Sequence, residues 1–168
     1  AIFGLADVFG HGSSAQKKEA ITLLGRVIAD SDDEGDKEEA LYLIASLHRD
    51  SGDYDKAIET ANKYINTPSY RRKKLEARML LGATYDKAGK KEDAMGVYAQ
   101  IWGTSMGAIR YSAPAIKRWM EIVWDRNGNN SNGKSDRQFA YEKGTEYIQL
   151  TVNAIKKATQ DEMIVYNQ

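Results

Sequence analysis

Three alanines set at one interval constrain this chain more than any other feature. Ala20, Ala57 and Ala94 stand 37 residues apart (57 − 20 and 94 − 57). Their neighbours keep the step: Ile21, Ile58 and Met95, then Ile28, Ile65 and Trp102. Self-similarity at one such period marks a chain of stacked supersecondary units, none of which buries its apolar face alone.

Within a unit the apolar spacing is helical. Between Leu75 and Trp102, residues Leu75, Met79, Leu81, Gly82 and Tyr85 face one way on a first helix, and Ala94, Val97, Tyr98 and Ile101 do so on a second. Gly89 lies between them, where a helix ending in the left-handed conformation favours glycine. Upstream, Ser13 or Ser14 caps a helix whose buried stripe is Ala20, Ile21, Leu24, Val27 and Ile28. Residues 36–50 and 54–66 form the next pair, turning at Gly52, with Leu41, Ile44 and Ala45 on the first helix and Ala57, Ile58 and Ala61 on the second. His48 takes the place of Tyr85 in that pair and is read as structural. Downstream, a first helix over 115–126 buries Ile116, Met120, Val123 and Trp124, while Trp119 falls off that stripe and either fills the gap to the next helix or stands exposed in a groove as an anchor. That partner begins at Ser135 or Asp136 and carries Ala140, Tyr147 and Ile148. Ala140 follows Ala94 by 46 residues, so the intervening loop is lengthened.

Leu81, Gly82 and Tyr85, followed by Ala94 and Tyr98, stand in the order and spacing of the tetratricopeptide signature, which the segment resembles. Arg78 replaces the signature aromatic, and Met106 stands where its closing proline belongs. The period exceeds the roughly 34 residues of that family, which puts extra residues in the turns. The resemblance implies an all-α, tetratricopeptide-like α-solenoid of about three to four antiparallel helix pairs, in a single domain. It comprises an apolar N-terminal segment (1–14), a first-repeat helix (15–34), repeats over 36–70 and 71–107, a divergent repeat over 112–150 with a long loop at 127–135, and a C-terminal cap over 151–168.

The same resemblance implies that first helices line a groove holding a peptide or a partner's helix. By register those positions are Tyr42, Ser46 and Arg49, then Met79, Ala83 and Asp86, then Arg118 and Ile122. The family's carboxylate clamp for C-terminal acids is not matched at Tyr42, Ser46 or Ala83. The expected function is a non-catalytic scaffold or adaptor for a protein or peptide partner. Ala1 in place of Met inclines the expectation towards an exported or periplasmic chain, in a bacterial envelope assembly. Two alternatives stand beside it. One is a structural subunit that self-assembles through the N-terminal segment and the solenoid end, giving a homo-oligomer. The other is a helical-repeat enzyme domain, which would need acids converging in a cleft.

Composition narrows the chemistry. Lys plus Arg and Asp plus Glu both number 24, so no net field favours nucleic acid. Cysteine is absent, and no apolar run approaches the length of a membrane-spanning helix. No glycine-rich phosphate loop, nucleophile elbow or cofactor motif is present, and neither catalytic residues nor a cofactor are expected. Asp125, Asn127, Asn129, Ser131 and Asp136 distantly resemble a calcium loop, but Asn130 replaces its turn glycine and Asp136 its bidentate glutamate. No metal is therefore the first expectation. Two charge clusters of opposite sign occupy comparable places in adjacent repeats. Asp36, Glu38 and Glu39 suit a helix N-terminus, whereas Arg71, Arg72, Lys73 and Lys74 have the wrong sign for one and mark a candidate contact.

Overall fold

The computed structural model describes residues 2–104, 109–126, 128–129 and 133–166, without the side chains of 2, 103, 104, 109, 154, 155 and 158–166. Its helices are α1 (Ile2–Gly10), α2 (Ser14–Asp30), α3 (Glu34–Asp50), α4 (Tyr54–Asn66), α5 (Lys74–Lys87), α6 (Lys91–Thr104), α7 (Ile109–Arg126) and α8 (Asp136–Tyr166). They divide into two compact units, Ala1–Ala94 and Met95–Gln168, with the boundary inside α6.

The alanine period becomes a packing period. Ala20, Ala57, Ala94 and Ala140 all have no exposed surface. Four and seven residues beyond each lie further buried positions: Leu24 and Val27, Ala61 and Tyr64, Tyr98 and Ile101, Gly144 and Tyr147. Each second helix thus buries one stripe at i, i+4 and i+7, flanked on α2 and α4 by the half-buried Ile21, Ile28 and Ile65. The stripe survives the 46-residue step into α8, because the added residues fall in the loop ahead of it.

Local chemistry sets the helix ends. Ser13 caps α2 in a box with Gln16, and the Asp33 carboxylate accepts the Gly35 and Asp36 amides at the start of α3. Gly52 and Gly89, one repeat step apart, adopt φ of 80° and 76° in the turns after α3 and α5. A side chain there would meet the steric penalty of the left-handed region.

The N-terminal segment docks onto the first unit through part of its apolar surface. Ala6 is buried and Phe3 and Phe9 pack against Leu24, Val27 and Leu47, while Leu5 and Val8 face outward. In the second unit Trp119 is buried, edge-on to Trp102 and Phe139 at centroid distances of 6.2 and 5.6 Å.

Four details differ from the sequence expectation. α7 starts at Ile109 and contains Pro114, rather than starting after it. In the second turn a proline gives up the bond to the Arg110 carbonyl, and its ring crowds that oxygen. Trp124 and Ile148, placed on buried stripes, are 47% and 63% exposed, because each lies one residue beyond the true stripe residue, Val123 or Tyr147. α8 continues for 31 residues as one helix instead of ending near residue 150. Met106, and the side chains of Ile155, Met163 and Val165, lie outside the described residues.

Gly89→Ala and Gly52→Ala are each expected to lower unfolding free energy by about 1–2 kcal/mol. Gly25→Ala, within α2 where an added Cβ meets no atom within 4 Å, is expected to raise it by about 0.5–1 kcal/mol. Urea titration of the three variants checks both signs.

Candidate functional site

Two short rows of side chains lie side by side on α3 and α5, which contact one another in the first unit. Tyr42, Ser46 and Arg49 occupy i, i+4 and i+7 on α3, and Met79, Ala83 and Asp86 repeat that pattern one step of 37 later on α5. All six are half-buried. The rows carry different chemistry. Arg49 Nε donates to the Asp50 carboxylate at 2.9 Å, and Arg49 Nη2 to Ser46 Oγ at 3.4 Å, so the guanidinium is held along α3. Asp86 is paired with Lys91. Tyr42 stands edge-on to Tyr64, 6.1 Å between centroids, with the Lys73 ammonium 4.9 Å from its ring centre. Burial pushes the Tyr42 phenol above its usual pKa, against the lowering pull of Lys73.

A buried polar network fixes the connector that brings Lys73 to that ring. Glu38 is buried, and its Oε1 accepts both the Tyr64 hydroxyl at 2.5 Å and the Arg72 amide at 2.6 Å. The Tyr64 oxygen in turn accepts the Lys73 amide at 3.0 Å. The Lys73 ammonium closes on Glu39 at 2.6 Å. The acidic and basic clusters thus meet each other, and at least Arg72 and Lys73 of the basic run are held by α3. Glu38 departs from its expected place at the helix N-terminus because α3 begins at Glu34, which carries Glu38 past the first turn and onto the stripe of Leu41 and Ala45. That spacing of i, i+3 and i+7 is the sequence signal for its burial. Burial first, and then the hydrogen bond to Glu38, raise the Tyr64 pKa.

His48 closes the C-terminal end of α3, with its side chain 13% exposed and Nδ1 3.6 Å from Asp53 Oδ2. Burial lowers its pKa, and Asp53 opposes the shift. The imidazole is therefore mainly neutral near pH 7, as a packed residue.

On α7 the groove register needs correction. The buried residues Ala115, Ile116, Trp119 and Ile122 match Ala40, Leu41, Ile44 and Leu47 of α3 at a constant difference of 75. The positions equivalent to Tyr42, Ser46 and Arg49 are therefore Lys117, Glu121 and Trp124, not Arg118 and Ile122. Ile122 is only 5% exposed, and Arg118 pairs along the helix with Glu121 at 2.7 Å. The sequence expectation set Arg118 and Ile122 39 residues after Met79 and Ala83, whereas the buried residues put the step from α5 to α7 at 38, as from Ala77 to Ala115.

The loop before α8 is closed by an ion pair. Asp136 is buried, and its two oxygens accept Arg126 Nε at 3.0 Å and Nη2 at 2.8 Å, with the Gly128 amide also at 2.8 Å. The Arg126 hydrogen bonds hold its pKa below the usual carboxylate range. Both oxygens are engaged by these donors, unlike those of a calcium ligand. Asn127 and Ser131 of the candidate calcium loop lie outside the described residues.

Residues 13–101 match the sequence family described as Anaphase-promoting complex, cyclosome, subunit 3. No curated protein matches the chain. Among solved structures, a kinesin light chain-type protein of Podosopora anserina with nearly identical tetratricopeptide-like repeats superposes with a TM-score of 0.50 and 17% identity, over 95% of each chain. That likeness shows the fold, a tetratricopeptide-like helical repeat.

Tyr64→Phe is expected to cost about 1–3 kcal/mol, because it strips the Lys73 amide and the Glu38 carboxylate of a partner. Glu39→Ala, at the half-exposed pair with Lys73, should cost about 1 kcal/mol or less. The raised Tyr64 pKa adds a pH signature. The unfolded phenol ionises from about pH 10 while the folded one stays neutral. Its contribution is complete below that pH and is lost as pH rises, with a slope of up to about 1.4 kcal/mol per unit. Denaturant curves between neutral pH and pH 11 should show a shallower alkaline loss for Tyr64→Phe than for the wild-type chain.

Proposed function

The chain belongs to the family of anaphase-promoting complex, cyclosome, subunit 3, a tetratricopeptide-type repeat family, and from that premise we propose that it is a non-catalytic scaffold that binds a protein or peptide segment. The observation that carries this reading is the doubled row on α3 and α5, where six half-buried side chains recur at one repeat step over a core fixed by alanine crossings and the Glu38 network. Such a surface is partly desolvated before a partner arrives, and its side chains are already held.

The chemistry of the rows defines the partner. Tyr42, Met79 and Ala83 offer an aromatic ring, a thioether and a methyl to an apolar side chain. Ser46 and Arg49 offer a hydroxyl and a guanidinium, and the exposed Arg71 and Arg72, with Lys74 beside them, extend positive charge along the same edge. An extended or helical segment with an apolar anchor next to a carboxylate meets both. Asp86, paired to Lys91, selects against an acid at the far end of the α5 row.

The test is capture of partners from the source proteome by immobilised chain, followed by affinity measurement with the captured segment. Arg49→Glu and Met79→Asp should each weaken binding at least about tenfold while helical circular dichroism is retained. Binding untouched by both, or lost equally in Lys18→Glu on the outer face of α2, would contradict the assignment.

A further inference from the structure

The face of α7 and α8 that corresponds to a covered face in the first unit stands open. On the α3–α4 pair, Leu41 and Tyr64 are sealed by Tyr70 and by Ala77 of α5, with Tyr42 and Ile65 at the edge. The equivalents on the last pair are Ile116, Tyr147 and Ile148, at differences of 75 for the first helix and 83 for the second. There they line a groove of about 500 Å³ whose walls include Met120, Trp124 and Tyr141. Ile65 is half-buried under its cover, whereas Ile148 is 63% exposed.

The exposed large apolar side chains among the described residues are Leu5 and Val8 on α1, Trp124 on α7, and Tyr141, Ile148 and Val152 on α8. The last three lie at i, i+7 and i+11, one continuous stripe of a 31-residue helix. α7 has 18 residues, so α8 also outruns its partner. Trp124 and Tyr141 alone expose on the order of 250 Å². With Ile148, Val152 and the groove floor the patch reaches roughly 400 Å², in the range of functional patches on monomers. A standard interface takes about 800 Å² per partner, somewhat over half of it apolar. The patch together with a rim of Lys117, Glu121 and Thr145 fits that size. The two exposed residues of nine-residue α1 do not.

We propose that this face joins two copies of the chain, the α8 stripe of each lying antiparallel across the α7–α8 groove of the other, as α5 lies across α3 and α4. The face is self-complementary: it carries both a groove and an apolar ridge of helix length. A two-fold axis then brings each ridge into the opposite groove. Ile148, central in the stripe, lies beside its own symmetry mate. Gly144, buried at the approach of α8 to α7, lets Met120 pack onto its backbone and so fill the groove floor between the two helices. The proposal uses different residues from the α3–α5 row and does not depend on its function.

The chain has no cysteine, so Ile148→Cys introduces its sole thiol. Sedimentation equilibrium from micromolar to millimolar concentration should give twice the chain mass for the wild type. Ile148→Asp, at a position exposed in the single chain, should keep the helical circular dichroism and weaken association at least about 100-fold, since the charge would be buried without a partner. Mild oxidation should link Ile148→Cys into a covalent dimer and leave Val8→Cys unlinked. A wild-type chain of single mass throughout, association that survives Ile148→Asp, or disulfide formation in Val8→Cys but not in Ile148→Cys would each overturn the proposal. The first would leave the groove to a helix from another protein, and the last would assign the contact to α1.

Discussion

Close approach at a residue that carries only a methyl group is the constraint on which the repeat depends. Ala20, Ala57, Ala94 and Ala140 each head the buried stripe of a second helix and have no exposed surface. A larger side chain would hold a neighbouring helix away, and the positions four and seven residues further on would lose their contacts together. Those positions tolerate variety, from Leu24 to Ala61 to Tyr98 and from Val27 to Tyr64 to Ile101, because helix separation is set by the alanine. The stripe fills with whatever matches the local gap. Family signature and physical requirement coincide at this residue.

A second interaction gives one junction its individuality. Glu38 and Tyr64 hold the amides of Arg72 and Lys73, in the connector that a repeat longer than its family's usual length must accommodate. An all-apolar junction would leave those amides to find partners in water or go without. The Glu38 carboxylate accepts the first and the Tyr64 phenol oxygen the second, and with the Lys73 ammonium on Glu39 they order the edge against which Tyr42 packs. The proposed binding row is thus built on the same hydrogen bonds that solve a folding problem. Charge clusters that resemble surface decoration in the sequence instead meet each other across the junction.

Much of this was legible from residue order. Helix pairs, the Gly52 and Gly89 turns, the Ser13 cap and the alanine core follow from a regular period, because burial repeats whenever sequence does. Legibility ended where the period broke. In α7 the stripe shifted by one residue, so Ile122 went inside and Trp124 outside, and a one-residue error on a helix rotates a side chain by about 100°. Glu38 shows a different limit. Its spacing from Leu41 and Ala45 placed it on the buried side, but its partners lie 26 and 34 residues away, Tyr64 on α4 and Arg72 in a connector without periodicity. The open face of α7 and α8 was likewise beyond pattern, since a stripe on α8 reads the same whether or not another helix covers it.

The most direct test of the alanine constraint is the stability of Ala57→Leu against that of Ala29→Leu, measured by urea unfolding of the full chain. Ala57 is fully buried and Ala29 exposed, both on second helices of their pairs. Overpacking at the crossing should cost Ala57→Leu about 1–3 kcal/mol, while Ala29→Leu should stay within about 0.5 kcal/mol of the wild-type chain. Equal stabilities for the two variants would contradict the claim that these alanines set the helix spacing.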